Sequence, residues 1–337
     1  MHSLLKLIGC LGVLTLSACT AQASIYSPID TDVHHAIMPL PEGAILEEAG
    51  TNQATHLVTT GLLGSYAPDD LSVEQRVPEI LARGRLIVGV DQAQNLLSFR
   101  DPATGTISGF EIDIAREIAR DIFGDPTKVE FRYTDASTWI QALNKNTVDF
   151  VIRGISITRE RQDAVFFSTP YMTVETRMLA KKNSDISSLA DLSGKTACVT
   201  SESTGLQRLR ESAPDTNLLI TRASADCLVA LQQNHTDVVV SDATILSGMI
   251  AQDPTTRIVG DSLGQEDYGI AFAKPINNPT ATGLIRQVNA TFERIFANHQ
   301  WVSYYYTWFG DYLPLTDPPP LRYRLETAPA ITSHPNA

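Results

Sequence analysis

Positive charge is scarce in this 337-residue sequence: 26 Lys and Arg stand against 38 Asp and Glu, a formal charge of −12. No Lys/Arg run offsets it, so the surface repels phosphate backbones and non-specific nucleic-acid binding is excluded. Cysteine is scarce too, with four residues, two of them (Cys10 and Cys19) in the first nineteen. After that leader no apolar run reaches the length that spans a bilayer. The sequence has no H-E-x-x-H, C-x-x-C or G-x-G-x-x-G string. His34 and His35 sit together near the start, while His56, His235 and His299 are scattered, so no metal-ligand spacing arises. Ser193-Gly-Lys-Thr196 imitates the end of a phosphate-binding loop, but Leu189 stands where the first Gly belongs, and the string precedes a strand where a true loop follows one. It reads as a turn. No catalytic residue, metal or cofactor is expected. What is plentiful is apolar material, 43% of the chain, enough for one large or two medium domains and too much for general disorder.

Residues 1–18 read as a signal peptide, with Lys6 as the early cation, an apolar stretch over 7–16, and small residues after it. Leu16-Ser17-Ala18-Cys19 resembles the bacterial lipobox, in which the Cys is lipidated and becomes the mature N-terminus. The plainer alternative is an ordinary cleavage site that happens to contain a Cys. Lipidation of Cys19 makes this an extracytoplasmic protein anchored to the cell membrane, and loss of Lys6 takes the net charge to −13. Cys198 and Cys227 then remain, and an exported chain favours one disulfide between them over two buried thiols.

Between a Pro- and Gly-punctuated start and a Pro-rich end lies an α/β alternation. Helices are expected over 71–82, 111–122, 137–144, 205–210, 223–232, 284–297 and 300–308. Strands are expected over 85–90, 129–133, 148–152, 174–180, 196–200, 217–221 and 238–240. Such alternation argues mainly parallel sheets flanked by helices, and its length argues two lobes rather than one sheet. The division reads as signal peptide 1–18, lipidated tether 19–70, lobe 1 over 71–172, lobe 2 over 173–266, a return to lobe 1 over 267–313, and a disordered tail over 314–337.

Polar groups cluster where strands end. The strand at 148–152 runs into Arg153-Gly-Ile-Ser-Ile-Thr-Arg-Glu-Arg161, which leaves backbone N–H groups and hydroxyls at the carboxyl edge of the sheet, where open α/β sheets bind ligands. An Arg there can clamp a carboxylate with two parallel hydrogen bonds. On spacing alone, a solvated helix start is the simpler account.

Five motifs in order shift that balance: Gly109-Phe-Glu-Ile-Asp-Ile, Gly154-Ile-Ser-Ile-Thr-x-x-Arg161, Phe166-Phe-Ser-Thr-Pro-Tyr171, Asp191-Leu-Ser-Gly-Lys195 and Tyr268-Gly-Ile-Ala271. Over about residues 76–310 the chain resembles the bacterial extracellular solute-binding proteins of family 3, the polar amino-acid receptors of ABC importers. The paired Cys198 and Cys227, with Asn95-Leu-Leu-Ser-Phe-Arg-Asp-Pro102 and Cys227-Leu-Val-Ala-Leu-Gln-Gln233, resemble actinobacterial glutamate/glutamine-binding lipoproteins of the GlnH type. The resemblance implies a type II periplasmic-binding-protein-like fold, two lobes with the ligand cleft at their hinge. It implies a monomer that binds a small amino acid and meets either a permease or a membrane sensor that signals to a cytoplasmic kinase.

By position, the resemblance gives Arg161 and Thr204 the ligand α-carboxylate, and Asp242, Ser156 and the Gly154 carbonyl its α-ammonium. Read without it, Thr204 is a plain N-cap and Asp242 a turn residue. Arg153 is the candidate for a ligand side-chain carboxylate, which favours aspartate or glutamate over asparagine or glutamine. Arg100 is a second cation for that role, and Asp91, Asn95, Trp139 and Ser241 complete the expected pocket. The alternative for Arg153 is pairing with an acid such as Asp91. Glu202 departs from the family, which usually carries Gly before the Ser/Thr. It puts a carboxylate near the expected anion site and is the one acid that a dehydratase or lyase on this scaffold could use.

Overall fold

A computed structural model of the chain describes residues 39–326 apart from 52, 53, 55 and 279. The expected signal peptide, Cys19 and its lipid, His34, His35 and tail residues 327–337 lie outside the described residues.

From residue 40 onward two large sheets organise the chain, beside a small antiparallel ribbon of Ala93–Gln94, Ser98–Arg100 and Ile107–Ser108. The first runs Val129–Tyr133, Leu86–Val90, Phe150–Val151, Ala271–Phe272, Phe166–Phe167. Its first three strands are parallel and the last two join antiparallel. The second runs Ile45–Glu47, Asn217–Thr221, Thr196–Thr200, Val238–Asp242, Met172–Lys181, Thr256–Tyr268, with a parallel centre and antiparallel flanks. Central parallel strands are covered on both faces, so they appear as unbroken apolar runs. Leu86–Val90, buried at every position, is the example.

Each sheet has its own core. In the first lobe the helix Phe110–Phe123 opens at Gly109 and closes at Gly124 in the left-handed region, where a side chain would be strained. It turns Ile112, Ala115, Ile118, Ala119 and Ile122 inward, towards Phe292, Trp301 and Phe309 from the two last helices. In the second lobe Met178, Val199, Leu206, Leu218, Val238 and Val240 pack together. Each such side chain contributes about 1.5–3 kcal/mol by leaving water. A disulfide joins Cys198 in the strand Thr196–Thr200 to Cys227 in the helix Ser224–Gln232.

The lobes are joined by Met172–Lys181 and Thr256–Tyr268, paired antiparallel with Met172 opposite Tyr268 and Glu175 opposite Gln265. Tyr171 and Tyr268, at the end of this ladder, are fully buried in the first-lobe core.

Several elements differ from expectation. The helix expected over 71–82 is two, Val73–Arg76 and Pro78–Arg83. Pro78 lacks an N–H and pushes Val77 out of the helical region, to φ −135 and ψ 50. The stretch expected as a tether packs from residue 45 onward. Ile45–Glu47 pairs with Asn217–Thr221, and the Glu47 carboxylate accepts from Arg210 at 2.5 and 3.0 Å. The tail expected to be disordered from 314 is tied down as far as Glu326: Ser65 bridges Tyr323, the Arg322 N–H donates to Thr169 Oγ1 at 2.8 Å, and the Arg322 guanidinium pairs with Asp267. Proline stops helices and ladders, but it does not stop a chain from packing.

Candidate functional site

The two lobes face each other across a small pocket with about 60 Å³ of space accessible to water. Arg161 and Asp242 both line it. Arg161 sits in the short helix Arg159–Ala164, whose first turn is capped by Thr158 Oγ1 accepting from the Arg161 N–H at 3.2 Å. Its guanidinium donates to the Ser156 carbonyl of its own lobe at 2.8 Å and to the Glu202 carbonyl of the other at 2.9 Å. Desolvation presses the Arg161 pKa down, against the pull of Glu266 and Asp242. A guanidinium held on two neutral carbonyls has no counter-charge in direct contact, so a carboxylate is the partner it favours.

Thr204 is buried as the first residue of the helix Thr204–Ser212. The cap is Ser203, not Thr204: its Oγ accepts from the Leu206 N–H at 3.2 Å and donates to the Thr200 carbonyl at 2.7 Å. Thr204 is thereby released from capping and turned to the pocket. Glu202 explains its own oddity, because its φ is +55°, a left-handed conformation that costs a non-glycine residue about 1–2 kcal/mol. That is the physical reason for a glycine in this turn. Glu202 lines the pocket, yet it stays exposed to solvent.

Asp242 ends the strand Val238–Asp242 and precedes the helix Ala243–Gln252. Its carboxylate accepts from Tyr268 OH at 2.5 Å and Thr176 Oγ1 at 3.2 Å. Burial, then the nearby Glu266 carboxylate, push its pKa up to about 7, against the pull of those hydroxyls and of Arg161. Gly154 has φ +64° and stands beside the Tyr268 ring, where a Cβ would be 3.4 Å from two ring carbons and the hydroxyl oxygen. Its N–H donates to Glu111 Oε1 at 2.6 Å, and Tyr171 OH donates to the same oxygen at 2.6 Å. Glu111 is wholly buried, which raises its pKa to about 7. It fixes the turn that carries Gly154 and Ser156, a supporting role that sequence reasoning missed.

Arg153, Trp139 and Ser241 line the pocket as expected. Arg153, however, donates to Asp91 Oδ2 at 2.6 Å, so the pairing held as the alternative is the one found, and Asp91 stands behind Arg153, outside the wall. Asn95 is also outside the wall. Its Nδ2 donates to the Gly248 carbonyl of the other lobe at 3.3 Å, a contact between lobes and not with a ligand. Arg100 is a correction: the ribbon strand Ser98–Arg100 turns it outward, where Gln92 Oε1 and the Gly105 carbonyl each hold it at 2.7 Å. Gln94, Ser224 and Ile245 line the pocket and were not foreseen. Gln94 lies three residues past Asp91, the only hint its position offered.

Gly260-Asp-Ser-Leu-Gly264 has the G-x-S-x-G spacing, but it lies where the register of the strand Thr256–Tyr268 slips, not at a strand-to-helix turn. Ser262 is exposed and bonds the Gly264 backbone. Among the described residues no helix is long and apolar enough to cross a membrane.

Residues 86–311 match the family described as bacterial extracellular solute-binding proteins, family 3. The chain is 38% identical over 216 residues to a glutamine-binding protein of Geobacillus stearothermophilus, covering 64% of this chain and 82% of the relative. It is 31% identical over 228 residues to the ABC transporter glutamine-binding protein GlnH of Bacillus subtilis, covering 67% and 82%. Among solved structures, an ancestral arginine-binding protein bound to glutamine aligns with a TM-score of 0.61 at 33% identity, over 68% of this chain and 99% of that one.

Proposed function

The chain belongs to the bacterial extracellular solute-binding proteins, family 3, and from that membership we propose a lipid-anchored receptor that captures a polar amino acid between its lobes. The family comprises solute-binding receptors, not enzymes. The candidate ligands are aspartate, glutamate, asparagine and glutamine. The supporting observation is the pairing of charges across one pocket, Arg161 from one lobe and Asp242 from the other. A zwitterion answers both. Its α-carboxylate takes the Arg161 fork and the start of the Thr204–Ser212 helix, where backbone N–H groups favour an anion. Its α-ammonium takes Asp242, Ser156 and the Gly154 carbonyl. Binding so favours the closed arrangement, because only there do both halves of the cage reach one ligand. A membrane partner, permease or sensor, reads that closed shape of the anchored monomer.

Arg161→Ala tests the reading. Arg161 is bonded to two backbone carbonyls and to no acid, so folding stability should change by only about 1 kcal/mol. Amino-acid affinity measured by calorimetry should fall by about a hundredfold or more, since the charged fork is lost. Near-normal affinity in this variant would remove the proposed role of Arg161.

A further inference from the structure

The charged groups of the pocket fall into two pairs that differ in balance. Arg161 and Asp242 offer one cation and one anion, which the backbone groups of any α-amino acid complete. Arg153 and Asp91 are joined at 2.6 Å, with side chains only 11% and 5% exposed, and the pair is neutral as a unit. Two polar atoms of residues lining the pocket have no hydrogen-bond partner although both are buried: Arg153 Nε, a donor, and Gln94 Oε1, an acceptor. Both residues line the pocket, and Gln94 is 7% exposed. Buried polar atoms are almost always satisfied, so an unmatched donor and acceptor on residues lining one pocket point to a ligand that supplies the matching pair.

Resting on the receptor reading above, we propose that Gln94 and the Asp91–Arg153 pair select a ligand whose side chain ends in a carboxamide, asparagine or glutamine, over its acidic counterpart. The amide N–H donates to Gln94 Oε1, the amide oxygen accepts from Arg153 Nε, and the ion pair with Asp91 stays intact. A carboxylate has no hydrogen for Gln94. It also carries a negative charge into a water-poor space where Asp91 has already neutralised Arg153, a placement that costs heavily without a counter-charge. A site built to accept an N–H rejects the isostere that lacks it, because its own buried acceptor is left unpaired. The preference for aspartate or glutamate required an unpaired Arg153, and Asp91 removes that condition.

The test is a thermal-shift screen of the full-length protein against the twenty amino acids, followed by calorimetry with asparagine, glutamine, aspartate and glutamate. Each amide should bind about tenfold or more tighter than its acid. Asp91→Asn frees the Arg153 charge and should shift the amide-to-acid ratio towards the acids by about tenfold. Gln94→Leu is close in volume and leaves the ion pair alone, so it serves where Asp91→Asn folds poorly. It should weaken the amides by about tenfold and leave the acids nearly unchanged. Acids binding as tightly as amides to the unaltered protein, preference for an amino acid outside these four, or a ratio that neither variant moves, overturns the carboxamide assignment and leaves the receptor reading in place. No shift with any of the twenty overturns both.

Discussion

Asp242 has to satisfy two demands that oppose each other. Burial raises its pKa to about 7, and Glu266 adds to that rise, while Tyr268, Thr176 and Arg161 resist it. An unfolded aspartate has a pKa of 3.8, so the folded carboxyl holds its proton in a range where the unfolded one has lost it. The stability this group contributes is full below that value and is lost as pH rises to about 7. Ligand binding runs the other way, because an α-ammonium needs the ionised form. Between about pH 5 and 7, affinity should rise with pH by up to tenfold per unit, and binding should release a proton. Calorimetry near pH 6 in two buffers of different ionisation heat measures that proton directly. A heat independent of buffer, together with an affinity flat across this range, would mean that Asp242 does not meet the ammonium.

At the scale of elements, the helix Ala243–Gln252 does more than follow Asp242. Its Gly248 lies against the other lobe: a Cβ there would sit 2.3 Å from the Asn95 carbonyl oxygen, and that oxygen is backbone and cannot swing away. Gly248→Ala should therefore hold the lobes apart without harming either one. Alanine is the better helix former by about 1 kcal/mol, so melting without ligand should hold or rise. Amino-acid affinity should fall by about tenfold or more, and small-angle scattering should report a wider molecule. Unchanged affinity would show that the lobes need not approach this closely to bind. Nothing in the sequence advertised this helix, because six of its ten residues are buried and no polar stripe marks a face. The strand Thr256–Tyr268 was equally hidden, its polar residues and register slip reading as a loop before the final turn into the hinge. By contrast Leu86–Val90 and Phe110–Phe123 were legible, one from unbroken apolar character and the other from helical spacing. In the pocket, Arg161, Thr204 and Asp242 were reachable only through motifs that fix their order along the chain. Gln94 and Glu111 matter through burial and an unmatched atom, which composition does not carry. Arg100 misled because a cation near the right place says nothing about which way a ribbon turns it.

On the scale of the whole molecule, the hinge ladder is not the only link between the lobes. Residues 45–50 belong to the second lobe, through the Ile45–Glu47 strand, the Ala49 N–H to Asn217 Oδ1 at 3.0 Å and the Gly50 N–H to the Pro214 carbonyl at 2.9 Å. Leu57 is still held there, its N–H donating to Glu211 Oε1 at 3.2 Å. Val58 already belongs to the first lobe, its carbonyl accepting from the Arg159 N–H at 3.0 Å, and Leu63 and Ser65 continue onto Gln162 and Phe167. Glu211 and Arg159 lie in the same two helices that carry Thr204 and Arg161. One peptide bond thus staples together the two elements proposed to grip the ligand carboxylate, and any widening of the pocket must stretch or peel this segment. A flexible Gly/Ser insertion of about six residues between Leu57 and Val58 keeps every contact but slackens the staple, and lengthening a loop costs little stability. The melting temperature should stay within about 2 °C. The ligand should leave several-fold faster, because the closed arrangement loses a restraint that the association step does not need. A dissociation rate equal to that of the parent protein in stopped-flow would mean that the strap merely decorates the hinge, and that the two long strands alone set how long the lobes stay shut.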